Sequence, residues 1–213
     1  MTANIIIRHL GKQQYADVWK RMQDFTRQRD TDTTDEIWVT EHPPVYTLGL
    51  NGKREHVLEA GDIPILQVDR GGQVTYHGPG QLIVYTLLDL TRLGIGVRGL
   101  VTPIEQAVVA TLARYGIRAT GRADAPGVYI NGSKIAALGL RIRRGCSYHG
   151  LSLNIDMDLS PFQDINPCGY KGMKVCQLSD FTDKINLPDI SEQLVSQLVS
   201  NLGYTMPKFN HGT

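Results

Sequence analysis

The 213-residue chain lacks several features that would assign it to a particular class of protein. Its 22 lysines and arginines nearly balance 21 aspartates and glutamates, so no overall charge predicts a nucleic acid or anionic-membrane partner. Apolar runs such as residues 82–88 are far shorter than the roughly 20 residues that span a bilayer, and residues 1–10 show no signal-peptide pattern. We therefore expect a soluble, cytoplasmic protein that binds neither nucleic acid nor a membrane.

Cysteine is also scarce, and the motifs of common cofactor sites are missing. The three cysteines, Cys146, Cys168 and Cys176, have spacings that match neither a disulfide framework nor a C-x-x-C metal site. The sequence has no G-x-x-x-x-G-K-[ST] loop and no G-x-G-x-x-G that opens a helix. We expect free thiols, no metal and no cofactor.

The most unusual segment that is present is residues 70–81, RGGQVTYHGPGQ, which lies between two apolar runs. Its four glycines allow the backbone to approach a bound group closely, and Pro79 stiffens it. Ordinary hairpin connections take two to five residues, so a segment of about twelve predicts a ligand-binding loop at one end of a sheet. A long surface loop without a ligand is the alternative.

Hydrophobic periodicity predicts a single α+β domain over residues 1–213. An Asn131-Gly132 pair predicts a tight hairpin that places Lys134 near the start of the returning strand. Thr102, Pro103 and Glu105 form a capping-box pattern that predicts a helix start at residue 102, with Gly116 as its end. Strands are predicted at 4–8, 37–40, 45–48, 63–68, 82–90, 127–130, 134–142 and 146–155, and helices at 15–27, 102–115 and 189–202.

The cysteines are candidate nucleophiles, and their neighbours rank them. Cys176 lies in an apolar setting typical of an inert buried thiol. Cys146 follows two arginines that favour a thiolate, but it also begins a predicted strand. Cys168 lies in a turn-forming Asn-Pro-Cys-Gly frame, where neighbouring backbone N–H groups are free to donate, so it is the best candidate on local grounds.

A cysteine nucleophile needs a base or a cation that favours its thiolate. Lys134, just past the predicted hairpin, is one candidate, although lysines beside such turns are commonly exposed and idle. His77 and His149, each followed by glycine, are the alternatives, although such histidines are more often structural. The residues alone leave this choice open.

Four segments together resemble the lipoyl(octanoyl) transferases, which belong to the biotin and lipoate protein ligase superfamily. They are residues 70–81, 127–139 (GVYINGSKIAALG), 149–154 (HGLSLN) and 166–169 (NPCG). The resemblance implies a catalytic domain in which a mixed β-sheet is packed with helices.

The resemblance also implies the chemistry. Cys168 would attack the thioester of octanoyl acyl carrier protein, and Lys134 would lower the pKa of the thiol and transfer protons, with His149 as an auxiliary residue. The octanoyl group would then pass to a lysine ε-amine on an apo lipoyl domain. The implied substrate contacts are Arg70, Gly71, Gly72, Gln73, Val74, Thr75, Tyr76, His77, Ala137, Leu138, Gly139, Gly150, Leu151 and Ser152.

The implied protein partners are the octanoyl acyl carrier protein as donor and, as acceptors, the apo lipoyl domains of 2-oxoacid dehydrogenases and the glycine cleavage H protein. Because such partners present acidic surfaces, we expect a basic rim around the site. The candidates for this rim are Arg141, Arg143, Arg144, Lys171 and Lys174.

Two other functions compete with this one. An ATP-dependent lipoate or biotin ligase would activate a free acid as an adenylate and would need no nucleophilic cysteine. A non-catalytic acyl-binding or carrier-docking module would bind octanoyl carrier protein without releasing product. Loss of turnover in Cys168→Ser and indifference to ATP separate the transferase from the ligase, and Lys134→Ala would leave the behaviour of a docking module largely intact.

Overall fold

The computed structural model describes residues 4–166 and 173–205, which form a mixed α+β fold. The strands are β1 (Ile5–Lys12), β2 (Asp35–Glu41), β3 (Val45–Leu48), β4 (Ile65–Gln67), β5 (Val74–His77), β6 (Gln81–Leu87), β7 (Thr120–Gly121), β8 (Gly127–Ile130), β9 (Ser133–Arg143) and β10 (Cys146–Asn154). The helices are α1 (Tyr15–Gln28), α2 (Leu90–Leu93), α3 (Val97–Ala113) and α4 (Leu187–Asn201). None of the helices that the structure describes has the length and hydrophobicity needed to cross a bilayer.

A seven-stranded sheet in the order β1-β2-β6-β10-β9-β8-β7 organises the fold. Strands β1 and β2 are parallel and the other neighbours antiparallel, so the predicted mixed sheet is confirmed. Alternate residues of β6 point to opposite faces: Leu82 and Val84 join the main core with α3 and α4, while Ile83 and Tyr85 pack with α1.

The second sheet, β4-β3-β5, corrects the prediction of a twelve-residue loop. Residues 74–77 are strand β5, which pairs antiparallel with β3. Val74 and Tyr76 point to one side of β5 and enter a small core with Tyr46, while Thr75 and His77 point to the other side. This alternation is typical of a strand and explains why the segment forms one. The glycines are therefore confined to the two connections that flank β5. The predicted strands at 37–40 and 45–48 are also confirmed, but they belong to different sheets.

The predicted start of the central helix is wrong, and the helix ends at Ala113, two residues before the predicted end at residue 115. Helix α3 begins at Val97, so Pro103 lies inside it and Thr102 is not its N-cap. Burial of Leu100 in the main core stabilises the extra turn even though Pro103 lacks an N–H. At the other end Gly116 has φ +74°, and the N–H of Ile117 bonds to the carbonyl of Leu112.

A buried charge cluster ties β2 to the C-terminal end of the described chain. Asp35, on β2, accepts hydrogen bonds from Arg29 at 2.6 Å and from the Tyr204 hydroxyl at 2.6 Å. Arg92 pairs with the same carboxylate at 2.8 Å. Although burial raises the pKa of Asp35, these donors lower it more, and the net pKa lies below the usual value.

Candidate active site

A cavity lies between the small sheet and the face of the large sheet that packs with α1. Counted together with the open solvent at its mouth, its empty space is about 760 Å³. The predicted site residues that line it are Arg70, Gly72, Gln73, Val74, Thr75, His77, Lys134, Ala137, Leu138, Gly139, His149, Gly150, Leu151 and Ser152. The structure thus gathers residues from three separated motifs, while their contact with a substrate stays a prediction.

Two predicted contacts lie beside the cavity and do not line it. Gly71 donates its N–H to the carbonyl of Leu140, which ties the glycine-rich segment to β9. Tyr76 points to the other side of β5, where its ring packs against Tyr46 and Phe162 at centroid distances of 5.6 Å.

Two glycines of the large sheet face each other in the lining of the cavity. Gly139 and Gly150 are paired across β9 and β10. A Cβ on Gly150 would lie 2.0 Å from the Val84 carbonyl oxygen, and one on Gly139 would lie 2.9 Å from Cδ of Arg70. At Gly150 the neighbouring strand therefore requires glycine, and at Gly139 the side chain of Arg70 occupies the space.

Lys134 is buried in this cavity with only 5% of its surface exposed. The predicted Asn131-Gly132 turn precedes it, with φ values of 48° and 84°. The pairing of β8 with β9 then skips Ile135, and this bulge changes the face toward which Lys134 points.

Two residues of β8 surround the Lys134 side chain. A Cβ on Gly127 would lie 3.2 Å from Cε of Lys134, so the missing side chain makes room for the lysine stem. The ammonium nitrogen lies 5.3 Å from the centroid of the Tyr129 ring, a distance at which the ring face attracts a cation.

Cys168 lies outside the described residues, but the chain that follows its segment reaches the cavity at Val175. The N–H of Lys134 donates to the Lys174 carbonyl at 2.8 Å, and the N–H of Cys176 donates to the Lys134 carbonyl at 3.0 Å. On the other side, Asn166 donates its N–H to the His56 carbonyl at 2.8 Å. The backbone of Lys134 is therefore joined directly to residues that follow the Cys168 segment.

The other two thiols are buried away from the cavity. Burial raises the pKa of Cys176 to about 12 and also raises the pKa of Cys146. Each thiol contacts a backbone carbonyl, that of Ser133 and that of Arg144 respectively, at 3.7 Å. Neither has the electropositive, accessible surroundings of a reactive thiol.

His77 belongs to a chain of hydrogen bonds that leads back to the segment beside Lys134. Asn154 donates its amide N–H to the Cys176 carbonyl at 3.0 Å, so its oxygen accepts from Gln81 at 2.9 Å. The Gln81 oxygen is then left to accept from Nδ1 of His77 at 2.7 Å. Burial, with a contribution from nearby His42, lowers the pKa of His77 to about 3, so its ring is neutral at pH 7.

His149 is held by Asp69, a residue that sequence reasoning missed. Its Nε2 lies 2.9 Å from the Asp69 carboxylate, which also accepts hydrogen bonds from Trp19, Gln23 and Tyr148. Burial lowers the pKa of His149 and outweighs Asp69. The neutral ring thus donates from Nε2 and accepts at Nδ1, where the Tyr15 hydroxyl lies 3.4 Å away.

Arg70 is buried and bound to the protein's own backbone. Its guanidinium donates to the Thr47 carbonyl at 2.6 Å, to the Thr47 hydroxyl at 2.8 Å and to the Gly71 carbonyl at 2.9 Å. These contacts fix the start of the glycine-rich segment against β3. Little in the sequence indicates the roles of Thr47 and Asp69. Thr47 lies in a predicted strand, and Asp69 directly precedes Arg70.

The structure does not gather the predicted basic rim around Lys134. Arg143 and Arg144 lie at the β9–β10 turn, nine or more residues from Lys134 and so about 30 Å away along the strand. Exposed Lys174 lies beside Lys134, and Lys171 is outside the described residues. Arg143 and Arg144 therefore lie far from Lys134, whereas Arg141 interacts with cavity-lining His149, and the rim itself stays a prediction.

Comparison with known proteins gives consistent matches over the whole chain. A family model described as the lipoyl protein ligase A/B catalytic domain matches residues 14–199. A protein named octanoyltransferase from Marinobacter nauticus is 58% identical over 210 residues, which cover 99% of each chain. One of the same name from Shewanella loihica is 57% identical over 206 residues, covering 97% of this chain and 94% of its own.

Solved structures show the same fold at low sequence identity. A bipartite lipoate protein ligase from Thermoplasma acidophilum superposes with a TM-score of 0.75 at 15% identity, covering 98% of this chain and 87% of its own. A biotin protein ligase from Aquifex aeolicus, in complex with biotin and ATP, gives a TM-score of 0.59 at 12% identity, covering 93% and 70%.

Proposed function

We propose that this chain, which belongs to the family of lipoyl protein ligase A/B catalytic domains, transfers an octanoyl group through an enzyme thioester. The donor is octanoyl acyl carrier protein. The acceptors are apo lipoyl domains, those of 2-oxoacid dehydrogenases and the glycine cleavage H protein. The observation that carries the proposal is a buried lysine in a cavity lined by glycine-rich motifs, hydrogen-bonded to the chain that follows Cys168.

In the first step the Cys168 thiolate attacks the thioester carbonyl of the donor. A C–S bond forms to Cys168, the C–S bond to the carrier breaks, and the departing thiolate takes a proton. The Lys134 ammonium is suited to supply this proton, since a desolvated cation close to sulfur also favours the starting thiolate.

In the second step the ε-amine of the acceptor lysine attacks the octanoyl thioester. An amide bond forms, the Cys168 sulfur leaves as thiolate, and the nitrogen loses a proton, which restores the Lys134 ammonium. The cycle consumes neither ATP nor a metal.

The test is the intact mass of the protein after brief mixing with octanoyl acyl carrier protein, without ATP. We expect wild type and Cys146→Ser to gain one octanoyl group that maps to Cys168, and Cys168→Ser to gain none. Lys134→Ala should form the adduct at least a hundredfold more slowly. A label on Cys146, or full turnover by Cys168→Ser with ATP and free octanoate, would overturn the proposal.

A further inference from the structure

The cavity has two ends, which the strand register defines. The first end contains Lys134 and lies where Gln81 of β6 pairs with Asn154 of β10. The second end lies four residues further along β6, where Tyr85 pairs with Gly150 of β10 and Gly150 pairs with Gly139 of β9. The second end is therefore about 13 Å from the first, at about 3.3 Å per residue.

Aromatic and polar side chains close the second end where α1 begins. The first residue of α1, Tyr15, lines the cavity, as do Tyr85 and His149. All three are at least 96% buried. Beyond them the same face of the sheet is covered by Val18 and Met22 of α1, which pack on Leu87.

Hydrogen bonds and stacking hold this end wall, defined as Tyr15, Tyr85 and His149, in place. His42 contacts the Gln13 carbonyl through Nδ1 at 2.7 Å, so its Nε2 accepts from the Tyr85 hydroxyl at 2.7 Å. The Tyr15 ring stacks on His77 with centroids 5.3 Å apart, and its hydroxyl faces His149. Displacing any member would leave buried polar groups without partners.

We infer that the end wall determines which acyl chain length the enzyme accepts, an inference that rests on the proposed function. An acyl chain whose thioester lies near Lys134 runs along Ala137 and Gly150 toward the wall. With C–C bonds of about 1.5 Å, eight extended carbons measure about 9 Å and sixteen about 19 Å. The first fits a groove of about 13 Å, and the second requires the wall to open.

The experiment measures single-turnover acyl-enzyme formation with hexanoyl, octanoyl, decanoyl and dodecanoyl carrier proteins. Tyr15→Ala should raise the dodecanoyl-to-octanoyl rate ratio at least tenfold, because it removes the ring from the end of the groove. Tyr15→Phe keeps the ring and should leave the ratio within about twofold of wild type. Val18→Ala truncates an equally buried residue of the same helix that does not line the cavity, and should also leave the ratio unchanged.

A second variant tests the groove from the other direction and does not depend on the folding of Tyr15→Ala. Ala137→Leu adds bulk midway along the floor and should raise the hexanoyl-to-octanoyl ratio at least tenfold. Wild-type ratios in both Tyr15→Ala and Ala137→Leu would overturn the inference that the end wall determines chain length, but would not contradict octanoyl transfer. An absence of acyl-enzyme from wild type with every donor would instead overturn the proposed function.

Discussion

At the scale of single residues, burial sets the protonation of the histidines beside the cavity. Burial lowers the pKa of His42 to about 4, well below the usual value of about 6.5. The folded protein therefore keeps this ring neutral, whereas the unfolded chain takes up a proton below pH 6.5. The free energy of unfolding therefore keeps its full value above pH 6.5, and His42 lowers it as the pH drops toward 4.

This gives a prediction for stability. Between pH 7 and pH 5, His42 should cost the folded state about 2 kcal/mol, and His42→Gln should remove that part of the loss. Urea unfolding at the two pH values measures it. The same substitution at exposed His9 is the control and should leave the loss at its wild-type size. An unchanged loss in His42→Gln would show that folding does not lower the pKa of this ring.

A second residue-scale prediction concerns Tyr129, whose ring faces Lys134. Because a cation over a buried ring is stabilised by about 1 to 2 kcal/mol, Tyr129→Leu should lower kcat/KM about tenfold. Tyr129→Phe retains the ring and should stay within about threefold of wild type. Steady-state kinetics with octanoyl carrier protein measures both, and an equal loss in the two variants would assign the effect to the hydroxyl, which bonds to the Ala125 carbonyl.

At the scale of elements, the pairing of β6 with β10 depends on one glycine. A Cβ on Gly150 would overlap the Val84 carbonyl, so Gly150→Ala must push the two central strands apart. We expect a loss of about 3 kcal/mol or more in the free energy of unfolding. Gly96→Ala, where a Cβ meets no atom within 4 Å, should cost under about 1 kcal/mol. Equal denaturation midpoints would contradict this reading of the strand contact.

The elements also show what the sequence could and could not predict. The Asn131-Gly132 turn was predictable because its two positive φ values suit these residue types. Strand β5 was not, since glycines on both sides hide four residues whose partner, β3, lies some 30 positions earlier. The start of α3 failed because burial of Leu100 outweighs the local capping pattern.

At the scale of the whole molecule, the positions of exposed charges distinguish two faces. Lys53 donates its N–H to Gln73, which lines the cavity, and Lys174 is next to cavity-lining Val175. Arg143 and Arg144 lie at the far end of β9. Under the proposed function, we therefore expect an acidic carrier protein that delivers its thioester to Lys134 to meet the first pair.

This separation predicts the effect of charge removal on the carrier. Lys53→Gln with Lys174→Gln should raise KM for octanoyl carrier protein several-fold and weaken its salt dependence. Arg143→Gln with Arg144→Gln removes the same charge and should change neither. Steady-state kinetics at two ionic strengths tests both pairs, and a larger effect from the arginine pair would place docking at the opposite end.

Much of the candidate site was predictable from motifs, and its supporting residues were not. Lys134 and the three glycine-rich segments carry recognisable patterns, and the fold brings them to one cavity. Asp69 lies outside these motifs, and although Gln81 and Asn154 end two of them, nothing local indicates that Asp69 bonds to His149, Gln81 to Asn154 and Asn154 to the Cys176 carbonyl, 22 to 80 positions apart. Such partnerships exist only once the sheets are assembled.

The hydrogen bond between Tyr204 and Asp35 has a consequence for how the protein is made. The two residues are 169 positions apart, while the last strand of either sheet ends at Asn154. Contacts of such long sequence separation form slowly, and a chain emerges from the ribosome N-terminus first. The described strands of both sheets can therefore assemble during translation, but Lys134 stays without residues 174–176, and Asp35 without its hydroxyl partner Tyr204, until those residues have been synthesised.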